Sequence, residues 1–489
     1  MTTPFQRTRI AAAIAGLALA LGAGQAFGAA FALQENSGSG LGNAFAGGAA
    51  GAEDAATVWA NPAGMSRIGS MQGVGAIHLI TPSMKFSNDG SQPAAVCPPA
   101  TPTLAALCGA NGIYQPLGNN GGDAGGINVV PNMYFVVPIN KQWAFGLGVN
   151  APFGLVTEYD DGWIGRYQAL KSDVQTINVN PAVSFKVTDT FTIGAGANWQ
   201  KIKATFTSNA NYSGGIAQAT LAGVAAGKIP AAAVQPLLTL SNGLDAKANV
   251  DGNDDAWGWN VGVLFEPSKN TRFGAHYRSS IKYHVTGNVN WEIPAAPALP
   301  PTLAPVYAAV AAAVNASPTF QNGGIYADIE LPPMANLSFF TALNDRWDLM
   351  ADAQWTGWST LQDLTFVRTS GAILSSTPEN FKDVWRFSLG ANYKYSDQWK
   401  FRMGVAYDQS PVQDEFRTPR LPDSDRVWLS GGAQWTFNKN LKLDVGATYI
   451  WVEDGTINNN AGSTSTYGLV KGSYSNNVII VSGQATYSF

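Results

Sequence analysis

The feature that most constrains the fold of this chain is an alternation of apolar and polar residues with a period of two, repeated along most of its length. One stretch alternates Trp399, Phe401, Met403, Val405 and Tyr407 with Lys400, Arg402, Gly404, Ala406 and Asp408. Successive side chains of a β-strand point to opposite faces, so the pattern predicts strands with one apolar face. Aromatic residues stand at one or both ends of these faces, as in strands that cross a bilayer. A soluble β-sandwich would also alternate, but it would not place Trp or Tyr at both ends of strand after strand.

The connections between the predicted strands alternate between short and long. Short turns fall at residues 138–140, 188–189, 268–270, 343–345, 396–397 and 438–440, and long connections at 88–127, 156–172, 207–253, 291–322, 360–380, 409–424 and 455–472. An up-and-down barrel with short periplasmic turns and long outer loops has this organisation. We therefore predict an all-β fold, a transmembrane antiparallel β-barrel of about 14 strands over residues 71–489.

The amino terminus predicts export. Arg7 and Arg9 precede an apolar run from Ile10 to Leu21, which suits a signal-peptide core but is too short to span a bilayer, so we assign residues 1–28 to a signal peptide. No later stretch reaches the roughly 20 apolar residues of a membrane helix. The final Phe489 resembles the signal read by the outer-membrane assembly machinery. We expect a monomer in the bacterial outer membrane, in contact with lipid and lipopolysaccharide.

Charge and motifs disfavour several functions. The net charge is -4, whereas nucleic-acid binding would need a basic patch, so we expect no nucleic-acid partner. The sequence has no G-x-S-x-G, H-E-x-x-H or G-x-x-x-x-G-K motif. We expect a protein that is not an enzyme, with no cofactor and no metal, and an outer-membrane hydrolase is the disfavoured alternative. Cys97 and Cys108 are close together in an exported chain, which favours a local disulfide over two free thiols.

The segment before the first strand, residues 29–70, is rich in Gly and Ala. It is too poor in large apolar residues to form its own core, and it is not charged enough to suggest a disordered tail. We predict that it is a hatch, or plug, inside the barrel lumen. Asn61, Pro62 and Ala63 would end the plug where the chain enters the first strand. A plug held by small and polar contacts loses little burial when it shifts, which a ligand-triggered gate requires.

Two of the long outer connections are unusually apolar. Residues 215–244 predict two short helices, the second beginning at Pro230 and ending near Gly243, and residues 304–314 predict another. Their apolar faces either pack on each other or present a surface to a hydrophobic molecule. The candidate residues for capturing such a molecule are Leu221, Val224, Leu237, Leu238, Val306 and Val310.

The predicted strand at residues 271–287 carries a row of basic residues. Its outward set is predicted to be Phe273, Ala275, Tyr277, Ile281, Tyr283 and Val285. Its inward set is predicted to be Arg272, His276, Arg278, Lys282 and His284. Such a ladder would guide a carboxylate through the lumen, and His276, Arg278 and Lys282 are the candidate ligand contacts. The alternative is that these residues pair with acidic plug or wall residues such as Glu53 and Asp54.

Another predicted strand is interrupted at residues 150–154. Pro152 cannot donate a hydrogen bond to a neighbouring strand, and Gly154 permits a bulge. The strand either ends here or kinks. A kink would open a hole in the wall towards the bilayer.

Several segments match one family in order along the mature chain. They are Ala30–Glu35, Ser37–Phe45, Asp54–Ala63, Val130–Asn140, Phe153–Tyr159, Trp257–Gly262, Tyr277–Ser279 and Ser410–Ser430. Together they resemble the FadL-type outer-membrane transporters of long-chain fatty acids and other hydrophobic compounds. The resemblance implies passive uptake, with capture between outer loops 207–253 and 291–323. Ligand would then reach a pocket near Phe31 and Leu33 and leave sideways at Gly154 after the hatch moves.

The chain departs from the family pattern at two lumen positions. An approximate alignment places Ser208 and Thr365 where a family member has an Arg and a Lys, while Arg278 is retained. Substitutes for the missing charges are Lys203, Lys282 and Arg368. Aromatic or aliphatic hydrocarbons are therefore an alternative substrate class, and a structural or adhesive barrel is an alternative function.

Overall fold

A computed structural model describes residues 29–489, and the signal peptide expected at residues 1–28 lies outside the described residues. The sheet has fourteen antiparallel strands, six of which are interrupted once. The strands are β1 (Gln72–Asn88), β2 (Asn128–Pro138), β3 (Trp143–Asn150 and Gly154–Glu158), β4 (Lys171–Lys186), β5 (Phe191–Asn211), β6 (Asp245–Phe265), β7 (Thr271–Arg278 and Ile281–Glu292), β8 (Gly323–Leu331 and Met334–Ala342), β9 (Trp347–Thr356 and Asp363–Arg368), β10 (Ile373–Pro378 and Val384–Lys394), β11 (Trp399–Asp408), β12 (Arg426–Thr436), β13 (Leu441–Val452 and Gly455–Asn459) and β14 (Val470–Ser488).

The sheet closes into a barrel because the first strand pairs with the last. Gln72 of β1 lies opposite Ser488 of β14, and the pairing continues to Asn88 opposite Gly472. Strands that follow one another along the chain are neighbours in the sheet. Closure pairs the edges that an open sheet would leave free. The predicted barrel of about 14 strands is confirmed.

The outer surface of the barrel carries the apolar face of the alternation. Leu389 and Val405 are exposed between aromatic residues at the strand ends. Trp385, Tyr407 and Trp451 form an outer aromatic belt, and Trp143 and Trp399 stand at the periplasmic ends. An apolar band between two rings of aromatic residues is typical of the lipid-facing surface of a transmembrane β-barrel. None of the helices within residues 29–489 has both the length and the apolar character needed to cross a membrane.

The predicted hatch lies inside the barrel as four short helical turns. They are α1 (Gly38–Leu41), α2 (Gly48–Gly51), α3 (Thr57–Ala60) and a 3-10 turn (Pro62–Arg67). The hatch has no core of its own, but its side chains Leu41, Val58 and Met65 are fully buried because they pack against the barrel wall. Ser37 starts α1 by accepting a hydrogen bond from the Gly40 amide.

The outer loops contain five α-helices among the described residues, three 3-10 turns (Ala231–Ala233, Pro318–Phe320 and Trp358–Thr360) and a small hairpin. The hairpin joins Ala95–Cys97 to Ile113–Tyr114, and the helices are α4 (Pro102–Cys108), α5 (Tyr212–Ala225), α6 (Val234–Leu240), α7 (Ala304–Asn315) and α8 (Thr464–Tyr467). Asn211 caps α5 by accepting from the Gly214 amide. Cys97 and Cys108 form a disulfide with their Cα atoms 5.8 Å apart, and it packs against α5 and α6.

Candidate functional site

The interruption in β3 shifts the register of the strand by one residue. Asn150 lies opposite Asn178 of β4, whereas Gly154 lies opposite Gln175, so four steps along β3 span three along β4. A one-residue insertion of this kind is a β-bulge, which bends a strand and leaves backbone groups unpaired. The pairing with β2 stops at Val149. Among the strands of residues 29–489, the segment Gly154–Glu158 therefore pairs with β4 alone.

The N-terminal end of the hatch occupies the edge that β2 leaves free. Ala32 forms an antiparallel bridge with Phe153. The Leu33 amide donates to the Pro152 carbonyl at 2.8 Å, and the Gly154 amide donates to the Phe31 carbonyl at 2.9 Å. The hatch thus serves as a short replacement strand at the break. Because Pro152 has no N–H of its own, its carbonyl is the group available to this contact.

Phe31 also joins an aromatic cluster above the break. Its ring lies 4.8 Å from that of Trp358 and 6.0 Å from that of Phe153, and Trp358 lies 5.8 Å from Phe381. These edge-on contacts are the geometry that aromatic pairs prefer. Trp358 is fully buried, so the cluster holds Phe31 firmly against the outer half of the barrel.

An apolar cavity opens beside this cluster. Its lining is almost entirely apolar, as in most small-molecule sites. We call it the upper cavity, and its lining residues are Phe31, Leu155, Val174, Ile202, Ala204, Phe206, Ile329, Leu331, Leu361, Leu364, Glu379, Phe381, Arg420 and Leu421. A second space lies between the hatch and the wall and is lined in part by Leu33, His276 and Arg278. Phe31 and Leu33 therefore line different cavities.

Asn61, Pro62 and Ala63 fasten the far end of the hatch. The Asn61 side-chain amide donates to the carbonyls of Ala49 and Val263 at 2.7 and 2.9 Å, and its oxygen accepts from the Ala63 amide at 3.0 Å. Pro62 begins the 3-10 turn, and β1 begins at Gln72. One side chain thus ties together two parts of the hatch and the wall.

The hatch approaches the wall closely where the wall presents glycine. A Cβ atom at Gly262 would overlap the Asn61 side chain, and one at Gly404 would overlap the Asn43 backbone. Larger residues at these inward positions would occupy the space of the hatch. The Gly content of the wall therefore determines where the hatch fits, alongside the Gly content of the hatch itself.

Arg278 and His276 point into the lumen, as predicted, but Arg278 is already occupied. Its guanidinium lies 3.5 Å from the centre of the Trp59 ring and donates to the Trp59 carbonyl at 3.2 Å and to Asn198. His276 has its Nε2 atom 3.4 Å from the Asn260 side-chain nitrogen. Arg278 thus holds the hatch by a cation–π contact, so its contact with a ligand stays a prediction that requires hatch movement.

Lys282 lies on the outside of the barrel, so the prediction that it points into the lumen is wrong. Arg278 lies opposite Asn260 of β6, but Thr286 lies opposite Asn253, so eight steps along β7 span seven along β6. This one-residue shift reverses which face each later side chain occupies. Lys282 is 78% exposed and binds Glu330 at 3.4 Å on the outside. The reversal also places His284 outside and the side chains of Ile281, Tyr283 and Val285 inside.

The acidic hatch residues have partners other than the ones the sequence suggested. Glu53 binds Lys400 at 3.1 Å and Arg402 at 2.9 Å, both from β11. Asp54 accepts from Ser39 and Gln484, each at 2.8 Å. Glu53 and Asp54 therefore do not pair with the β7 basic row. Arg272 donates to the Ala50 and Gly51 carbonyls, whereas Lys282 and His284 contact the wall carboxylates Glu330 and Asp328.

The outer-loop candidates divide into two groups. Leu237, Leu238 and Val310 are buried in a cluster that joins α5, α6, α7 and the disulfide hairpin. The prediction that these three residues capture a ligand is wrong, because the helices bury their side chains against one another. Leu221, Val224 and Val306 are partly buried at the edge of the same cluster and stay predictions for capture.

Three residues of the site were missed by the sequence analysis, namely Trp358, Glu379 and Arg420. Trp358 and Glu379 lie in the interruptions of β9 and β10, and Arg420 lies in the connection after β11. None of them belongs to an alternating stretch, so no periodic signal marks them. Only the way the strand ends meet over the lumen brings them to Phe31. No cluster of metal-binding side chains occurs in residues 29–489.

The barrel, its plug and the adjoining apolar cavity define a transmembrane β-barrel transport protein of the bacterial outer membrane. The chain belongs to the outer membrane protein transport protein family (OMPP1/FadL/TodX), whose model matches residues 19–489. The long-chain fatty acid transport protein of Escherichia coli (strain K12) is 32% identical over 457 residues, covering 93% of this chain and 94% of that protein. The 47 kDa outer membrane protein of Pasteurella multocida is 31% identical, covering 96% of this chain and 98% of that protein. The resemblance to FadL-type proteins is confirmed.

Solved structures share the fold. A FadL homologue of Pseudomonas aeruginosa matches with a TM-score of 0.76 and 26% identity, covering 94% of this chain and all of that one (100%). The toluene transporter TbuX of Ralstonia pickettii matches with a TM-score of 0.57 and 19% identity, covering 95% of this chain and 99% of that one. At 19% identity, the second match shows a shared fold and nothing more.

Proposed function

We propose that this chain carries hydrophobic small molecules, with long-chain fatty acids as the first candidate, passively across the outer membrane. Residues 1–28 serve as the export signal, residues 29–70 as the hatch and residues 71–489 as the barrel. The chain works as a monomer in lipid and lipopolysaccharide after insertion by the assembly machinery, and it performs no catalysis. Its relatives named as long-chain fatty acid transport proteins support this substrate class.

The observation that carries the proposal is the hatch terminus in the edge of β3. Leu147 faces outward three residues before the break, so the break adjoins the lipid-facing wall. Withdrawal of residues 31–33 would unpair Pro152 and Gly154 and open a gap there. A molecule leaving through that gap enters the bilayer directly and avoids the aqueous periplasm, where an apolar molecule is poorly solvated.

The contacts that close the gap include apolar ones that a ligand in the upper cavity can replace. Two backbone hydrogen bonds join residues 31–33 to the break, each contributing about 1 kcal/mol net, and the Ala30 amide donates to the Asp423 carboxylate at 2.9 Å. Phe31 lines the upper cavity, so a ligand there competes for the apolar surface that Phe31 covers. A ligand that binds better when Phe31 has moved shifts the hatch towards its open position.

A reversible lock tests the gate. We would replace Ala32 and Phe153, which face each other across the bridge, with cysteines and measure uptake of oleate by cells before and after reduction. We expect uptake to stop in the oxidised variant and return with reductant. The matched control is a cysteine pair at Thr271 and Thr341, which are opposite each other within the wall; it should transport in both states.

Two results would count against the proposal in different ways. Uptake that survives the Ala32–Phe153 lock contradicts the lateral gate. An unmodified protein that gives cells no uptake of oleate or of any hydrocarbon contradicts transport itself and favours a structural or adhesive barrel. Under that alternative, substitutions at Pro152 and Gly154 would also leave the activity unchanged.

The second candidate is transport of aromatic or aliphatic hydrocarbons. The aromatic cluster of Phe31, Phe153, Trp358 and Phe381 favours it, because aromatic rings pack well on aromatic rings. Parallel uptake assays with oleate, toluene and decane separate the two candidates. A carrier specialised for hydrocarbons would accelerate toluene or decane entry and leave oleate entry unchanged.

A further inference from the structure

The upper cavity has two ionisable groups in an otherwise apolar lining. Glu379 comes from the interruption of β10 and Arg420 from the connection between β11 and β12. Both lie beyond the outer aromatic belt, which Trp385 and Tyr407 mark on β10 and β11. An apolar pocket with a few convergent polar groups is the usual form of a site that orients an amphiphilic ligand.

Arg420 enters the cavity with donors to spare. Its Nη1 atom donates to the Lys171 carbonyl at 3.3 Å and to the Ser172 hydroxyl at 3.4 Å. The guanidinium carbon lies 5.3 Å from the centre of the Phe206 ring. Within residues 29–489, neither Nε nor Nη2 has an acceptor. A guanidinium with two unused donors on a rigid fork is suited to a carboxylate.

Glu379 faces the same cavity and is also unpartnered. The residue is 6% exposed, and its backbone amide donates to the Gln362 carbonyl at 2.9 Å. No hydrogen bond or ion pair reaches its carboxyl oxygens from residues 29–489. Its chain neighbours Lys382 and Asp383 are exposed, so Arg420 is the charged group that acts on it.

The charge state of the empty cavity follows from these surroundings. Burial raises the pKa of Glu379 from 4.5 to about 8, although Arg420 acts in the opposite direction. Burial also lowers the pKa of Arg420 to about 10, still well above neutrality. At neutral pH Glu379 is therefore protonated and Arg420 charged. The cavity then carries one positive charge and one carboxylic O–H donor.

We propose that Arg420 and Glu379 together bind the head group of a monocarboxylate, and that Glu379 must keep its proton for the carboxylate to bind. The inference rests on the proposed function and names the substrate class and the regulation of the same cavity. Arg420 receives the ligand carboxylate through Nε and Nη2, and the Glu379 O–H donates to one of its oxygens. Ionised Glu379 would instead attract Arg420 and repel the ligand, strongly so in an apolar cavity.

The sign of the pH effect follows directly. Below about pH 8 Glu379 is protonated and the carboxylate binds fully, and above that value each pH unit weakens binding about tenfold because binding must return a proton. A neutral ligand of the same length has no charge to repel. The pH effect is therefore specific to carboxylates.

Decanoate and 1-decanol provide the test, because decanoate stays ionised from about pH 7 to about pH 9. We would measure binding of both to the full chain in nanodiscs by calorimetry. Between those pH values we expect decanoate binding to weaken about tenfold and decanol binding to stay constant. Glu379→Gln should make decanoate binding independent of pH, and Arg420→Gln should remove the preference for decanoate over decanol at pH 7. Glu330→Gln and Lys282→Gln, on the outside of the barrel, are the charge-matched controls.

The outcomes separate this inference from the proposed function. If neither decanoate nor decanol binds, the proposed function fails and this inference fails with it. If both bind and decanoate binding is constant with pH in the unmodified protein, the inference alone is overturned. A Glu379→Gln variant that keeps the pH dependence, or an Arg420→Gln variant that keeps the carboxylate preference, overturns it equally.

Discussion

The amide of Gly154 donates a hydrogen bond to the carbonyl of Phe31 at 2.9 Å, and this bond joins the hatch to the interrupted strand of the wall. The hatch and the break are therefore one structural unit. Neither can change without the other, because the hatch end supplies the pairing that β2 does not supply beyond Val149. A gate at the break requires this coupling between the plug and the wall.

Phe31→Ala should release the end of the hatch. Phe31 is 8% exposed, and truncation of a buried Phe typically costs about 3–5 kcal/mol. We expect hydrogen exchange of residues 29–36 to become faster while the exchange of the barrel strands stays as it was. Phe387→Ala, which removes an exposed ring from the lipid-facing surface, is the control. Unchanged exchange at residues 29–36 in Phe31→Ala would show that the aromatic cluster does not hold the hatch.

Gly262→Ala should displace the hatch near Asn61. The added Cβ would overlap the Asn61 side chain. That side chain donates hydrogen bonds to the carbonyls of Ala49 and Val263, and the overlap would break them. Overpacking of this kind costs about 1–3 kcal/mol. We expect lower thermal stability and greater sensitivity of cells to large antibiotics that the barrel normally excludes. Gly483→Ala, whose Cβ would meet nothing within 4 Å, should behave like the unmodified protein.

Arg278→Gln and Lys282→Gln should differ sharply although both change one basic residue of β7. Arg278 contacts the Trp59 ring and carbonyl of the hatch, whereas Lys282 is exposed outside. We expect the Arg278 variant to lose about 2 kcal/mol or more of hatch stability and the Lys282 variant to stay within about 0.5 kcal/mol. Hydrogen exchange across residues 55–67 measures the difference. Equal effects would contradict the reversal of faces at residues 279–280.

Arg402→Met should loosen the middle of the hatch. Arg402 is buried and binds Glu53 of the hatch and Asp444 of β13 at 2.9 and 3.0 Å. Removal of one partner from a buried ion network typically costs about 3–5 kcal/mol, because the remaining charges are left uncompensated. We expect the low end of that range, since Glu53 keeps Lys400 and is a quarter exposed. In a double-mutant cycle with Glu53→Gln, additive losses of thermal stability would show that the two residues do not interact.

The strands and the outer helices could be predicted because their signals are local. The alternation from Trp399 to Tyr407 places a whole strand and its outward face. Asn211 and Pro230 mark the starts of the α5 and α6 regions by ordinary capping and turn chemistry. The enclosure of the hatch could be predicted in the same way, since a stretch rich in Gly and Ala, with few charges and few large apolar residues, cannot form a core of its own.

The partners within the site could not be predicted. The alternation on β7 indicates two faces, but the one-residue shift between Arg278 and Ile281 exchanges them, and nothing in the local sequence marks it. Glu53 pairs with β11 because the wall curves around the hatch and brings that strand within reach. Leu237 and Val310 are apolar in either role, and only the packing of α6 and α7 shows them to be buried.

The sequence by itself determined that this protein is a plugged outer-membrane barrel whose third strand is broken, because periodicity, composition and proline act through the local chain. The tertiary structure alone decided that Phe31 closes that break and that Glu379 and Arg420 share its cavity. Their distance along the chain carries no information about contact. Closure of the sheet brings Phe31, Glu379 and Arg420 together, because the outer ends of the strands surround the same lumen.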